Sequence, residues 1–183
     1  MIKLKYKGVF DIPDGEGSCV ITLTDEGEKK ALSIMTHRTL GLQLKAYSHD
    51  RKEALRSAVG VLAYILEEKK ALDQYHVCID AKKDLGFNAR LENELDNSSL
   101  PISPDEAVML AVVTGMDMLA TANAFQFFST PYSQNAHMVA LPILGLPDSM
   151  LKKALSQAVE DENYETASYI RDEMKRREQK HRE

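Results

Sequence analysis

The sequence predicts an α+β fold, in which a mixed sheet is packed by helices and is followed by a C-terminal helical hairpin. Residues 1–35 and 75–92 contain strand-type runs, whereas residues 50–70 and those after 104 repeat apolar positions at helical spacing. After residue 147, two charged helical stripes are separated by a short polar turn. With 183 residues, 44% of them apolar, the chain has the size of one ordinary domain plus a small appendage.

The chain opens with a strand in which apolar residues alternate with lysines. The apolar set is Ile2, Leu4 and Tyr6, and the lysines are Lys3, Lys5 and Lys7. Such a lysine face could bind phosphate, but lysines also protect exposed or edge strands from pairing, and we favour this second interpretation. Two further strands are predicted over residues 19–23 and 31–35, joined by a charged connection.

A buried helix is predicted from Asp50 to Lys70, with Asp50 as its N-cap. Its apolar positions are Leu55, Val59, Leu62 and Leu66. Strands over residues 75–80 and 86–92 follow.

A second helix is predicted to begin at Pro104, because Ser103 and Glu106 have the spacing of a capping box. In that motif the Glu106 carboxylate accepts from the backbone N–H of Ser103, and Asp105 lies in the positive first turn.

Residues 118–147 contain no charged side chain. Prolines and a polar run within this stretch exclude a membrane-spanning helix. Its aromatic residues are Phe125, Phe127, Phe128 and Tyr132. They could stack on unpaired bases, but packing in a core or a subunit interface is the commoner role of clustered aromatics, and we expect a homo-oligomer contact here.

Composition and spacing exclude several classes of protein. The net charge of −5 gives no overall attraction to nucleic acid or to anionic membranes. The first residues lack the apolar run of a signal peptide or membrane anchor, so we expect a cytoplasmic protein that does not bind membranes. Cys19 and Cys78 are too far apart in sequence for a zinc or redox motif, and we expect two buried thiols in strands.

The C-terminal hairpin closely resembles the UVR motif. Leu151, Leu155 and Ala158-Val159 are followed by Glu162-Asn163-Tyr164-Glu165-x-Ala167 and by Ile170-Arg171-Asp172, which covers almost the whole repeat. The UVR motif is known from subunits B and C of the bacterial excision-repair nuclease, where it mediates subunit interaction, and from protease-associated regulators. The resemblance implies an antiparallel pairing element that binds a protein partner or a second copy of the chain. Its expected contacting face is Leu151, Leu155, Val159, Tyr164, Ala167 and Ile170.

The preceding region resembles the bifunctional nuclease (BFN) domain, a bacterial and plant family credited with hydrolysis of DNA and RNA. Phe87-Asn88-Ala89-Arg90-Leu91 is similar to the family's F-Y-A-R-L strand, and residues 104–111 are similar to its helix start. Ser48-His49-Asp50 is similar to its T-H-D. The resemblance implies a BFN-like domain over residues 1–130, an uncharged connection over 131–147 and the UVR-like hairpin over 148–183.

The resemblance implies a nuclease that hydrolyses phosphodiesters of DNA, RNA or both. That reaction needs an activated water and charge relief at the phosphate. We expect His49, oriented by Asp50, to act as general base. Asp105 and Glu106 could share a divalent metal, Mg²⁺ or Mn²⁺, and Arg90 could hold the phosphate. Each has a structural alternative, because Asp50 and Glu106 can cap helices and Arg90 can be a solvated strand residue.

The chain also departs from the BFN pattern. Ser103 stands where the family has an arginine before the helix-start proline, Asp105-Glu106 replaces its Ser-Asp pair, and Val113 replaces a second arginine. Two lost guanidinium groups remove the side chains best suited to bidentate phosphate contact. The alternative function is therefore a catalytically silent oligomeric scaffold that recruits a partner through the UVR-like hairpin.

Overall fold

The computed structural model describes residues 1–12, 17–82, 86–133, 146 and 148–180. The chain divides into two compact units, residues 1–140 and 141–183, which are described separately. The first contains a mixed sheet with helices, and the second contains two helices, so the predicted α+β class is confirmed.

The described part of the first unit contains one sheet of eight strands, in the order β6-β5-β4-β7-β1-β2-β3-β8. The strands are β1 (Ile2–Asp11), β2 (Ser18–Asp25), β3 (Lys30–His37), β4 (Tyr75–Lys82), β5 (Gly86–Asn93), β6 (Ser99–Ile102), β7 (Met118–Ala120) and β8 (Thr130–Pro131). All described pairs are antiparallel except β4 with β7. The strands predicted over residues 1–35 and 75–92 are therefore confirmed.

The lysine-bearing strand β1 is not an edge strand, because it lies between β7 and β2. The edge-strand interpretation of its lysines was wrong. Lys3 pairs with Asp117 at 2.7 Å, and Lys7 pairs with Glu28 at 3.0 Å. Lys5 donates to the carbonyl of Glu26 at 3.2 Å. The three ammonium groups are thus held by neighbouring acceptors on this chain.

The described residues also form helices in both units. They are α1 (Arg38–His49), α2 (Ala58–Glu68), α3 (Pro104–Thr114), α4 (Ala122–Phe128), α5 (Asp148–Glu160) and α6 (Tyr164–Lys180), with short 3₁₀ turns at Arg51–Arg56 and Leu72–Gln74. None of the described helices is both long and apolar enough to cross a membrane.

The single helix predicted over residues 50–70 is wrong in its start and in its burial. Asp50 caps a 3₁₀ turn instead, where its Oδ1 accepts from the N–H of Lys52 at 2.9 Å. Ser57 is the N-cap of α2 and accepts from the N–H of Gly60 at 3.0 Å. A Cβ at Gly60 would overlap the carbonyl of Ala54, so this glycine allows the 3₁₀ turn and α2 to pack closely.

Of the four apolar positions predicted to be buried in that helix, only Leu66 is buried, while Leu55 and Leu62 are exposed and Val59 is half-buried. Helix α1 was not predicted at all, because His37 at its N-cap makes no capping side-chain bond. It packs on β2 through Gly41, where a Cβ would overlap Sγ of Cys19.

The core lies between the sheet and helix α3, whose residues Ala107–Ala111 are all buried. On the sheet the largest fully buried side chains include Ile21, Leu23, Leu32 and Ile79. Cys19 and Cys78 are free and buried in β2 and β4, as predicted.

The uncharged stretch begins with β7, α4 and β8. Phe125 and Phe128 are buried, and the ring of Phe128 lies 5.0 Å from that of Phe87. Phe127 is exposed and Tyr132 is half-buried. Two of the four aromatics, Phe125 and Phe128, thus belong to the core. Residues 134–145 and 147 lie outside the described residues, so the predicted homo-oligomer contact over that part stays a prediction.

Candidate functional site

The predicted base His49 and its neighbour Asp50 lie at the end of α1 and the start of the 3₁₀ turn. Nδ1 of His49 lies 2.8 Å from the carbonyl of Lys45 in the preceding turn of α1. The carboxylate of Asp50 is used as a cap for the N–H of Lys52. Both side chains are exposed, and both make bonds that are sufficiently explained by local structure.

The predicted metal pair Asp105 and Glu106 occupies the first turn of α3. Oδ2 of Asp105 accepts from the hydroxyl of Thr36 at 2.8 Å, which ties α3 to β3. Oε2 of Glu106 accepts from the hydroxyl of Ser103 at 2.6 Å. The capping-box expectation is corrected here, because Glu106 bonds the Ser103 side chain and Ser103 makes no side-chain cap bond.

Within the described ranges, no three or more His, Cys, Asp or Glu residues gather in a way that could hold a metal ion. Asp105 and Glu106 alone fit a divalent cation poorly, since Mg²⁺ needs six oxygen ligands and both carboxylates already accept hydroxyl groups. A metal at this position stays a prediction.

Arg90 lies in a network of charged groups on β4 and β5. Its Nε donates to Glu92 at 2.9 Å, and its Nη1 lies 3.8 Å from Asp80. Glu92 also lies 3.2 Å from Nε2 of His76. Thr121 donates to Asp80 at 2.6 Å and lowers the pKa of Asp80; burial opposes this shift, but bonds from Ala81 and Arg90 reinforce it.

His76, Glu92 and Asp80 were not predicted as site residues. Alternate residues of paired strands lie on one face of the sheet, and this pattern brings the three side chains together. In the register of β4 and β5, His76 is opposite Glu92, and Asp80 lies four residues further along β4 on the same face. This register could not be read without knowing which strands pair. Burial first, and then the charge of Glu92, raises the pKa of the Cys78 thiol beneath this network.

The predicted catalytic residues do not form one cluster in the described structure. Arg90 is in register with Cys78, Leu119 and Lys3, on one face of the sheet. Thr36, the partner of Asp105, lies in register with Cys19 on the opposite face. The structure therefore keeps the guanidinium of Arg90 and the carboxylates of α3 apart, and their joint catalytic role stays a prediction.

The second unit is a helical hairpin that buries its own apolar stripe. Its core consists of Leu146, Leu151, Ala158, Ala167 and Ile170, with Met150, Ala154, Leu155 and Met174 partly buried against it. Of the six residues predicted to contact a partner, Leu151, Ala167 and Ile170 are thus used inside the hairpin, and Leu155 is half-buried. Val159 and Tyr164 are 51% and 67% exposed.

Away from its turn, the hairpin is held by Arg177. Nε of Arg177 donates to Glu173 at 2.7 Å, while Nη1 donates to the carbonyl of Leu146 at 2.7 Å and to Asp148 at 2.9 Å. Arg176 also donates to Glu173, at 2.9 and 3.1 Å. We call Leu146, Asp148, Glu173, Arg176 and Arg177 the arginine clasp.

The carboxylate of Glu173 is buried, and burial alone would raise its pKa. Hydrogen bonds and the positive charges of Arg176 and Arg177 outweigh that effect and hold the pKa below its ordinary value. Glu173 is therefore ionised at neutral pH and fixes both arginines within the hairpin.

The turn between the two helices is a Schellman motif. Asn163 N–H donates to the carbonyl of Ala158 at 2.8 Å, and Glu162 N–H donates to that of Val159 at 3.1 Å. Glu162 has a φ of 55°, where glycine is the usual residue. Residues 159–164, which we call the hairpin tip, are all exposed. The tip combines two apolar side chains, Val159 and Tyr164, with the acidic run 160–162.

Comparison with known families agrees with this geometry. Residues 150–180 match the family model described as the UvrB/uvrC motif, or UVR, and the match extends through both helices of the hairpin. No curated protein matches the chain. The resemblance of residues 1–130 to the BFN domain stays a prediction. The chain thus carries a UVR motif at its C-terminal hairpin, and this motif is associated with protein or DNA interaction in excision-repair proteins.

Proposed function

We propose that the protein is an adaptor that binds another protein through the hairpin tip. The observation that carries this proposal is that the UVR hairpin buries its apolar stripe between its own two helices, while Val159 and Tyr164 stay exposed to solvent. An exposed aromatic and an exposed aliphatic side chain at one end of a rigid element are typical anchors of a protein interface.

The charge of the tip supports a protein partner over DNA. Glu160, Asp161 and Glu162 are exposed beside the two apolar anchors and would repel phosphates. At the opposite end of the hairpin, the basic groups Arg176 and Arg177 are already bonded to Glu173. The expected partner surface is an apolar pocket with basic residues at its rim.

The test uses the full chain immobilised and exposed to an extract of its own cells. Tyr164→Ser together with Val159→Ser removes the two anchors without touching the hairpin core. Tyr169→Ser is the matched control, because Tyr169 is 51% exposed on the same hairpin but lies outside the tip. We expect the double variant to lose a protein that wild type and Tyr169→Ser both capture.

Capture of the same proteins by all three forms would refute the tip as binding surface. A DNA arm measures fluorescence anisotropy of labelled single and double strands at two salt concentrations. Tight DNA binding that falls steeply with salt would show instead that phosphate contacts dominate.

Hydrolysis of DNA or RNA phosphodiesters is the second candidate function. The observation that favours it is the network around Arg90, in which a guanidinium, the imidazole of His76 and the carboxylates of Asp80 and Glu92 lie together on one face of the sheet. An imidazole between carboxylates can transfer a proton, and a guanidinium can bind phosphate.

A cleavage assay tests this candidate on labelled single-stranded DNA and RNA with Mg²⁺, Mn²⁺ or chelator. The variants are His76→Ala, His49→Ala and the double change Asp105→Ala/Glu106→Ala. If only the folded His76→Ala variant loses cleavage, the catalytic residues lie on β4 and β5. If His49→Ala or Asp105→Ala/Glu106→Ala loses cleavage, the catalytic residues are those predicted from the sequence. An absence of cleavage in wild type would leave the adaptor as the function.

A further inference from the structure

Helix α2 is apolar on every side. Gly60, Ala63 and Leu66 face the protein interior. At 100° per residue the opposite side of the helix carries Val61 and Ile65, flanked by Leu62 and Tyr64. Its charged residues are confined to the last turn, at Glu67 and Glu68. A helix that is apolar all round is typical of a buried position, yet the described residues cover α2 on one side only.

The exposed apolar area on and beside α2 is as large as the largest apolar patch of a typical monomer. The exposed fractions are 53% for Leu55, 51% for Val61, 38% for Leu62, 53% for Tyr64 and 48% for Ile65. With residue surfaces on the order of 200 Å², these fractions correspond to about 500 Å² of exposed surface. This matches the largest apolar patches that monomers show, which are often functional. We call these five residues the α2 surface.

A groove adjoins this surface. It has a volume of about 230 Å³ and lies between the 3₁₀ turn and α2, with Leu55, Ala63, Tyr64 and Val113 on its walls. Arg51, Lys52 and Glu67 also line the groove, and Arg51 pairs with Glu67 at 3.4 Å. The α2 surface therefore offers both projecting apolar side chains, Val61 and Ile65, and a recess that could receive such side chains.

We infer that the α2 surface is the contact between two copies of this chain. A two-fold dimer uses the same patch on both subunits, so a surface that has both projections and a recess can complement itself. A standard interface buries about 800 Å² per partner, and about 65% of a homodimer interface is apolar. The roughly 500 Å² of the α2 surface supply that apolar share. This inference does not depend on the function proposed for the hairpin tip.

The test measures the mass of the full chain by light scattering and by sedimentation over a concentration series. Ile65→Glu places a charge in the centre of the contact without altering the core, because Ile65 is exposed in the single chain. Leu42→Glu is the matched control, since Leu42 is an equally exposed residue of α1. We expect a wild-type dimer whose dissociation constant rises at least about 100-fold in Ile65→Glu and is unchanged in Leu42→Glu.

Hydrogen exchange of α2 at high and low protein concentration identifies the occupant. A dimer protects residues 58–66 in a concentration-dependent way that Ile65→Glu abolishes. Protection of α2 in a monomer at every concentration would overturn the proposal, because a segment of the same chain would then cover it. A protein that is monomeric at about 100 μM with an unprotected α2 would also overturn the proposal, because a different partner would then have to cover this surface. A dimer that is insensitive to Ile65→Glu would overturn it as well, because the contact would then lie elsewhere. Tyr164→Ser should leave the dimer intact, which separates this result from the fate of the adaptor proposal.

Discussion

Replacing Arg177 by methionine tests whether the arginine clasp stabilises the UVR hairpin. Methionine keeps an apolar stem of similar length but removes the bonds to Glu173, Leu146 and Asp148. Each bond to a buried charged group contributes about 1.5–3 kcal/mol, and a bond to a carbonyl about 1 kcal/mol. Asp148 is mostly exposed, so its ion pair adds little. Because Arg176 still bonds Glu173, we expect the hairpin to lose about 2–4 kcal/mol of stability.

Native-state hydrogen exchange of the full chain measures this loss locally, so that unfolding of the hairpin is separated from that of the sheet. A loss of 2–4 kcal/mol corresponds to a fall in amide protection of about 30- to 1000-fold over residues 148–180. The matched control is Arg171→Met, because Arg171 is exposed and its bonds, to the Ser168 hydroxyl at 3.2 Å and to Asp172 at 3.7 Å, both lie on the solvated surface of α6. Equal protection in Arg177→Met and Arg171→Met would refute the role given to the clasp.

Three further predictions concern stability. The hydroxyl of Thr22 is buried without a hydrogen-bond partner among the described residues. Thr22→Val should therefore raise the free energy of unfolding, measured by urea denaturation, by about 1 kcal/mol. A loss of stability would show that this hydroxyl has a hydrogen-bond partner. Gly60→Ala would push a Cβ into the carbonyl of Ala54 and should lower the midpoint of thermal unfolding by several degrees. An unchanged midpoint would show that the 3₁₀ turn can move away freely. Because the pKa of Glu173 is lower in the folded hairpin, its contribution is present above the unfolded value of about 4.3 and is lost as pH falls below it. Hairpin protection in wild type should therefore fall as the pH is lowered below that value, and Glu173→Gln should reduce this dependence. An identical pH profile in both proteins would contradict the assignment.

Much of the fold could be predicted from local sequence patterns. Alternation in residues 2–7 predicted one strand, and runs rich in strand-forming residues within 19–35 and 75–92 predicted four more. Pro104 after Ser103 predicted the start of α3. These signals depend only on neighbouring residues. Helix α1 was missed, since His37 makes no side-chain cap and the packing of Gly41 on Cys19 is a contact between distant segments. The start of α2 was misplaced because Asp50 and Ser57 are both good N-cap residues, and only the close approach at Gly60 separates the 3₁₀ turn from the helix.

The candidate sites also combine features that local sequence determines with features that depend on contacts between distant segments. The sequence by itself determined the UVR hairpin, because its repeat lies within one continuous segment and its two stripes pack on each other. Only the tertiary structure decided which of the predicted contacting residues stay outside, since burial of Leu151 and exposure of Tyr164 follow from how the helices pair. Likewise, the separation of Arg90 from Asp105 depends on strand register across the sheet. Spacing along a chain specifies local periodicity, whereas the face on which a side chain lies relative to distant residues is set by pairing between segments.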